Sequence, residues 1–92
     1  MADIRITGTG IIGTLAKGFF EGTANQTKTF ATTMVGIYIR NDNATGGNPL
    51  TVALNNGEIF KVLANEDFHA YVDPFTQVVI TANGPYRGYG MV

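Results

Sequence analysis

Cysteine, serine and tryptophan are absent from this chain of 92 residues, and His69 is its single imidazole. Without cysteine there is no disulfide and no thiolate metal site, because soft-metal centres need several Cys or His ligands. Without serine or cysteine the usual activated nucleophiles are missing. Charge is sparse too: 14% of residues are Asp, Glu, Lys or Arg, against about 25% in an average globular domain. Six basic and seven acidic residues leave a net charge of -1. No stretch concentrates positive charge, so a phosphate backbone finds little long-range attraction and nucleic acid is not an expected partner. Neither a basic amphipathic helix nor a long apolar run is present, so no membrane association is expected.

The first residues, Met1-Ala2-Asp3-Ile4-Arg5, lack the basic region and apolar stretch of a signal peptide. Synthesis in a cytoplasm is the expectation. One domain of this size buries only roughly 60–65% of its unfolded surface, and small domains are commonly supplemented by disulfides, metals or association. Association is the supplement that this composition leaves open. No cofactor is expected.

What is present reads as β-structure. From Phe30 to Arg40 a period of two places Ala31, Thr33, Val35, Ile37 and Ile39 on one face, with Met34, Gly36 and Tyr38 on the other; with its β-branched and aromatic residues this predicts a strand. Leu50, Val52 and Leu54 alternate with Thr51 and Ala53, and an apolar pattern resumes at Ile59. Asn56-Gly57 between these runs predicts a hairpin with both residues at positive φ. A short strand is expected over 68–72, a turn at Asp73-Pro74-Phe75-Thr76, then a β-branched strand over 77–82 and a last strand from Tyr86. Turns at this spacing predict an all-β fold, a small antiparallel β-sandwich of jelly-roll-like character.

The N-terminal third is less regular. Residues 3–9 alternate as a strand would, while Gly10, Gly13, Gly18 and Gly22 oppose a helix, each costing about 1 kcal/mol relative to alanine. Gly8, Gly10 and Gly13 spell G-x-G-x-x-G, but a dinucleotide site also requires a following helix and a distant acidic residue within a βαβ unit. Residues 1–92 are therefore read as a single β domain, with 1–22 as an extended arm or an edge strand. Ile11, Ile12, Leu15, Phe19 and Phe20 are too apolar for a free linker and are candidate interface residues.

Asp67, His69 and Tyr71 fall two residues apart and would share a strand face, imitating an acid–base site. A base also needs a nucleophile and an orienting partner within reach, and the plainer reading is the polar side of a half-exposed strand. Among the aromatics, Phe60, Phe68 and Phe75 are expected in the core. Tyr71, Tyr86 and Tyr89 are candidate interface residues, since tyrosine buries area while keeping its hydroxyl wet.

Over roughly residues 35–90 the chain resembles small virion proteins of tailed bacteriophages. The resemblance rests on the polar loop after Arg40, the Asn56-Gly57 hairpin, the Asp73-Pro74-Phe75-Thr76 segment before Val78-Val79-Ile80-Thr81, and the closing Asn83-Gly84-Pro85-Tyr86-Arg87-Gly88-Tyr89. It implies an accessory part of a capsid, neck or tail, located in the virion after synthesis in the host cytoplasm, with itself or other virion proteins as partners. It carries over no catalytic, cofactor or metal residue. The expected function is a non-enzymatic structural subunit; the competing readings are a carbohydrate or host-surface binding module and a small hydrolase using His69.

Overall fold

The computed structural model describes residues 16–92. Six strands follow in chain order: β1 (Ala16–Gly22), β2 (Gln26–Asn41), β3 (Leu50–Leu54), β4 (Ile59–Val62), β5 (Asp67–Thr81) and β6 (Tyr86–Met91). The fold is all-β, and every neighbouring pair is antiparallel. The strands lie in one sheet, ordered β1-β6-β2-β5-β3-β4, rather than in the two sheets of the expected sandwich. The strand expected over 3–9, the glycine motif, and Ile11, Ile12 and Leu15 lie outside the described residues.

Two long strands make this single sheet possible. The start of β2, residues 26–29, pairs with 77–80 of β5, and its later part, 36–40, pairs with 67–71; the register shifts on either side of the Met34–Phe75 pair. β6 pairs with only the later part of β2, and β3 with only the later part of β5. The sheet therefore has two wings. The aromatic wing comprises β1, β6, the end of β2 and the start of β5. The hairpin wing comprises the start of β2, the end of β5, β3 and β4.

The irregular middle overturns one expectation about faces. Phe30 and Met34 point inward, and so do Ile37, Ile39 and Asn41, so the inward set changes from even to odd numbers between Met34 and Ile37. A bulge adds a residue to one strand, and a one-residue slip exchanges the two faces. Ala31 and Thr33 consequently face solvent while Ile37 and Ile39 do not.

A second correction concerns Asp73-Pro74-Phe75-Thr76, which is no turn: β5 runs straight through it. Proline has no N–H to donate and is tolerated at such a bulge. The neighbouring backbone groups are taken up from the hairpin. Asn55 Oδ1 accepts from the Thr76 and Gln77 amides at 2.9 and 3.2 Å, and Asn56 Nδ2 donates to the Asp73 carbonyl at 2.7 Å. The hairpin occurs where the sequence places it, but only Gly57 has positive φ, at 101°, and Asn56 does not. The Gly57 amide donates to the Leu54 carbonyl, and the Leu54 amide to the Glu58 carbonyl. This is the three-residue loop with a left-handed glycine, rather than the two-residue turn.

Asn41 joins the wings. Fully buried, it donates through Nδ2 to the carbonyls of Val62 (3.0 Å) and Asn48 (2.9 Å) and accepts from the Asn43 amide (3.0 Å). β2 and β4 are separated in the sheet by β5 and β3, so this bond requires the sheet to fold over its inner face. Inside the fold, Phe30 meets Phe75 edge-on at 5.8 Å and Phe20 at 6.4 Å. Val52, Val78 and Ile80 from the hairpin wing join Ile37, Ile39 and Tyr86 from the aromatic wing in one core cluster.

Candidate functional site

The outer face of the aromatic wing gathers most of the chemistry-bearing side chains. Its register sets Tyr38 on β2 between Tyr89 on β6 and His69 on β5, and Arg40 between Arg87 and Asp67. On β1, Gly18 at φ 63° accompanies a one-residue slip against β6. A left-handed glycine at such a bulge re-aims the residues after it: Phe19 turns outward to Tyr89, and Phe20 turns into the core at 7% exposure.

Two parallel rows result. One is a row of rings, Phe19–Tyr89–Tyr38–His69, with centroids 5.2, 5.1 and 5.5 Å apart. Tyr38 and Tyr89 stack at 25°, and His69 meets Tyr38 edge-on at 89°. The second row carries charge: Glu21 opposite Arg87, then Arg40, then Asp67. Asp42 spans both guanidiniums, 3.2 Å from Arg40 Nε and 3.3 Å from Arg87 Nε. Arg40 Nη2 also donates to Asn65 Oδ1 at 2.7 Å. The Tyr38 hydroxyl crosses between the rows, donating to Asp67 at 3.3 Å. Its pKa is raised, first by desolvation and then by the neighbouring Asp67 charge.

His69 lies on the same exposed side of β5 as Asp67 and Tyr71, but its ring contacts are with Tyr38 and, through Nε2, the Met91 sulfur at 3.4 Å. Asp67 is engaged by Tyr38. The carboxylate–imidazole geometry of a general base is not assembled here. Among the described residues no group of three or more His, Asp or Glu side chains is placed to hold a metal ion, and no helix is long and apolar enough to cross a membrane.

The expected interface residues separate into two sets. Phe19 and Tyr71 are 68% and 70% exposed, and Tyr89 is half-buried in the ring row. Phe20 and Tyr86 lie inside the chain's own core. Tyr86 faces inward because its hydroxyl finds the Ala24 carbonyl at 2.7 Å and Gln26 Oε1 at 2.9 Å, and burial pushes its pKa up. Sequence reading missed Tyr38, Arg40, Asp42 and Arg87. Their period-two placement was visible, but their meeting depends on which strands are neighbours.

Along the β1 side of this face runs a groove of about 660 Å³, lined by Phe19, Glu21, Tyr38, Arg87 and Tyr89 together with Phe20 and Gly88. Comparison with protein-family models, curated proteins and solved structures finds no match to the chain.

Proposed function

We propose that this chain is a non-enzymatic structural subunit of a tailed-bacteriophage virion, contributing to assembly or stabilisation by contacts with itself or with other virion proteins. The observation that carries this reading is the outer face of the aromatic wing, where rings and paired charges stand on rigid strands rather than around a reactive centre. Tyrosine and arginine are enriched at protein interfaces and their hot spots. The low charge of the chain suits close packing of many copies. A jelly-roll-like character remains part of this reading, supported by the bond from Asn41 to the Val62 carbonyl between strands that are not neighbours in the sheet.

Particles released from the encoding host test it directly. After density-gradient banding, peptide mapping should find the chain at a fixed ratio to a major particle protein. Recovery of the chain only in the particle-free fraction removes the virion assignment. Sedimentation equilibrium of the isolated protein should show a species larger than 9.8 kDa if self-association is part of its role.

A further inference from the structure

The groove beside β1 has a volume of about 660 Å³, within the range of small-ligand sites, roughly 300–1,000 Å³. Its walls differ in chemistry. On one side Phe19, 68% exposed, and Tyr89 open at 53° like a wedge. Tyr89 is braced from behind by the Tyr38 stack, and Tyr38 is itself held by Asp67. Such bracing means that little freedom is lost when a ligand enters. On the other side stand Glu21, an acceptor, and Arg87, whose Nε is bound to Asp42. A guanidinium has five N–H groups, so its terminal donors remain available to a ligand.

Charge narrows the ligand class. Two guanidiniums, Arg40 and Arg87, face three carboxylates, Glu21, Asp42 and Asp67. That balance gives no net attraction for a phosphate, a sulfate or an acidic sugar. A quaternary ammonium favours aromatic walls, yet here it would meet the Arg87 guanidinium in the same groove. What remains is an uncharged molecule with a flat apolar face and a rim of hydroxyls that both donate and accept. A pyranose ring has this form.

We propose that this groove binds neutral sugars of a surface glycan, one pyranose face lying on Phe19 and its hydroxyls bonded to Glu21 and Arg87. The site goes beyond a role in assembly and uses the β1 side of the face that the assembly reading invokes. Particle incorporation is read by peptide mapping and sugar binding by titration, so the failure of one is distinguishable from the failure of the other.

Titration of the labelled protein with lactose, cellotriose and chitotriose, followed by amide NMR, tests the proposal, with sialyllactose as the acidic counterpart of lactose. At least one neutral sugar should produce saturable shifts at Phe19, Glu21, Arg87 and Tyr89, and sialyllactose should bind more weakly than lactose. Phe19→Ala and Arg87→Gln, both at exposed positions, should each weaken the binding about tenfold while the β3 and β4 amides keep their wild-type shifts. Four results overturn the proposal: no saturable shift with any neutral sugar, shifts confined to other surfaces, tighter binding of sialyllactose than of lactose, or sugar binding that survives both substitutions. Sugar-independent shifts at these residues that grow with protein concentration also overturn it, by assigning the face to a second copy of the chain.

Discussion

The two wings share β2 and β5, yet their outer faces have little in common. On the aromatic wing long side chains reach across strands, as rings in one row and as ion pairs in the next. On the hairpin wing the corresponding rows are short: Thr27, Val79, Ala53 and Ile59 are successive cross-strand partners, followed by Thr81, Thr51 and Lys61. Ile59 and Val79 remain 70% and 41% exposed, their direct cross-strand partners Ala53 and Thr27 being too short to cover them. The hairpin wing is therefore held by its inner face, where Val52, Leu54, Val62, Val78 and Ile80 are at most 4% exposed, and by its turn. The aromatic wing has inner packing and an outer lattice as well. One sheet can thus divide its tasks along its strands, with the bulge in the middle of β2 and β5 as the border.

The largest expected effect comes from breaking the joint between wings. Asn41→Leu keeps the volume but leaves the Val62 carbonyl and the Asn43 amide without the side chain that serves them, while the Asn48 carbonyl keeps the bond donated by Asn43 Nδ2 at 3.1 Å. Each buried polar group left unsatisfied costs about 1–3 kcal/mol, and partial relaxation should hold the total near 3 kcal/mol. The midpoint of urea unfolding should fall accordingly, with both wings losing amide protection together. A loss below about 1 kcal/mol would show that the wings do not depend on this residue.

A smaller effect is expected from the turn, confined to one wing. Gly57 sits at φ 101° with open space where a side chain would go, so backbone strain alone decides the outcome. Gly57→Val should cost about 1–2 kcal/mol, because a β-branched residue resists positive φ. Amide exchange should accelerate in β3 and β4 and stay unchanged in β1 and β6. Equal acceleration in both wings would mean that the sheet opens as a unit and the division is only one of surface.

These two residues also mark what was legible in the sequence. Asn-Gly between alternating runs announces a hairpin because the constraint is local. The strand over 30–40 was legible for the same reason, its period written in its own residues. The exchange of faces between Met34 and Ile37 was not, since a bulge depends on the partner strand. Asp73-Pro74 reads as a turn until Asn55 and Asn56 are known to supply partners for the backbone around it. Asn41 looked like the first residue of a loop, and only the folding of the sheet makes it a buried joint. The candidate site was half visible: Phe19 and Tyr89 stood out as surface aromatics, whereas the row they form with Tyr38 and His69 needs the β6-β2-β5 order.

Within the aromatic wing, Tyr38→Thr keeps a β-branched strand residue but removes the centre of the ring row. Cross-strand aromatic pairs contribute roughly 0.2–1 kcal/mol each, so a loss of about 1 kcal/mol is expected, read from the urea midpoint. Exchange should quicken in β6 and in the start of β5, the reverse of the Gly57→Val pattern. If the two substitutions gave the same exchange map, the outer ring row would have no stabilising part of its own.

The smallest effect is a pH dependence that belongs to one wing alone. All four tyrosines, Tyr38, Tyr71, Tyr86 and Tyr89, lie on the aromatic wing, and the hairpin wing has none. Burial raises the pKa of Tyr86 above its ordinary value of 10.0, so the folded protein holds this proton more tightly than the unfolded chain. The resulting stability is fully present below the ordinary tyrosine value and is lost as pH climbs through the folded-state value. Ionisation would also forfeit the bond donated to the Ala24 carbonyl. Tyr38 shifts in the same direction, but on the outer face, where water and salt screen it. The urea midpoint should therefore be flat from neutral pH upward and decline only beyond about 10. In Tyr86→Phe, which has no proton to lose there, the decline should shrink while the neutral-pH stability drops by about 1 kcal/mol for the missing hydrogen bond. An alkaline decline of undiminished size in that variant would place the responsible group elsewhere, first at Tyr38, where Tyr38→Phe repeats the measurement.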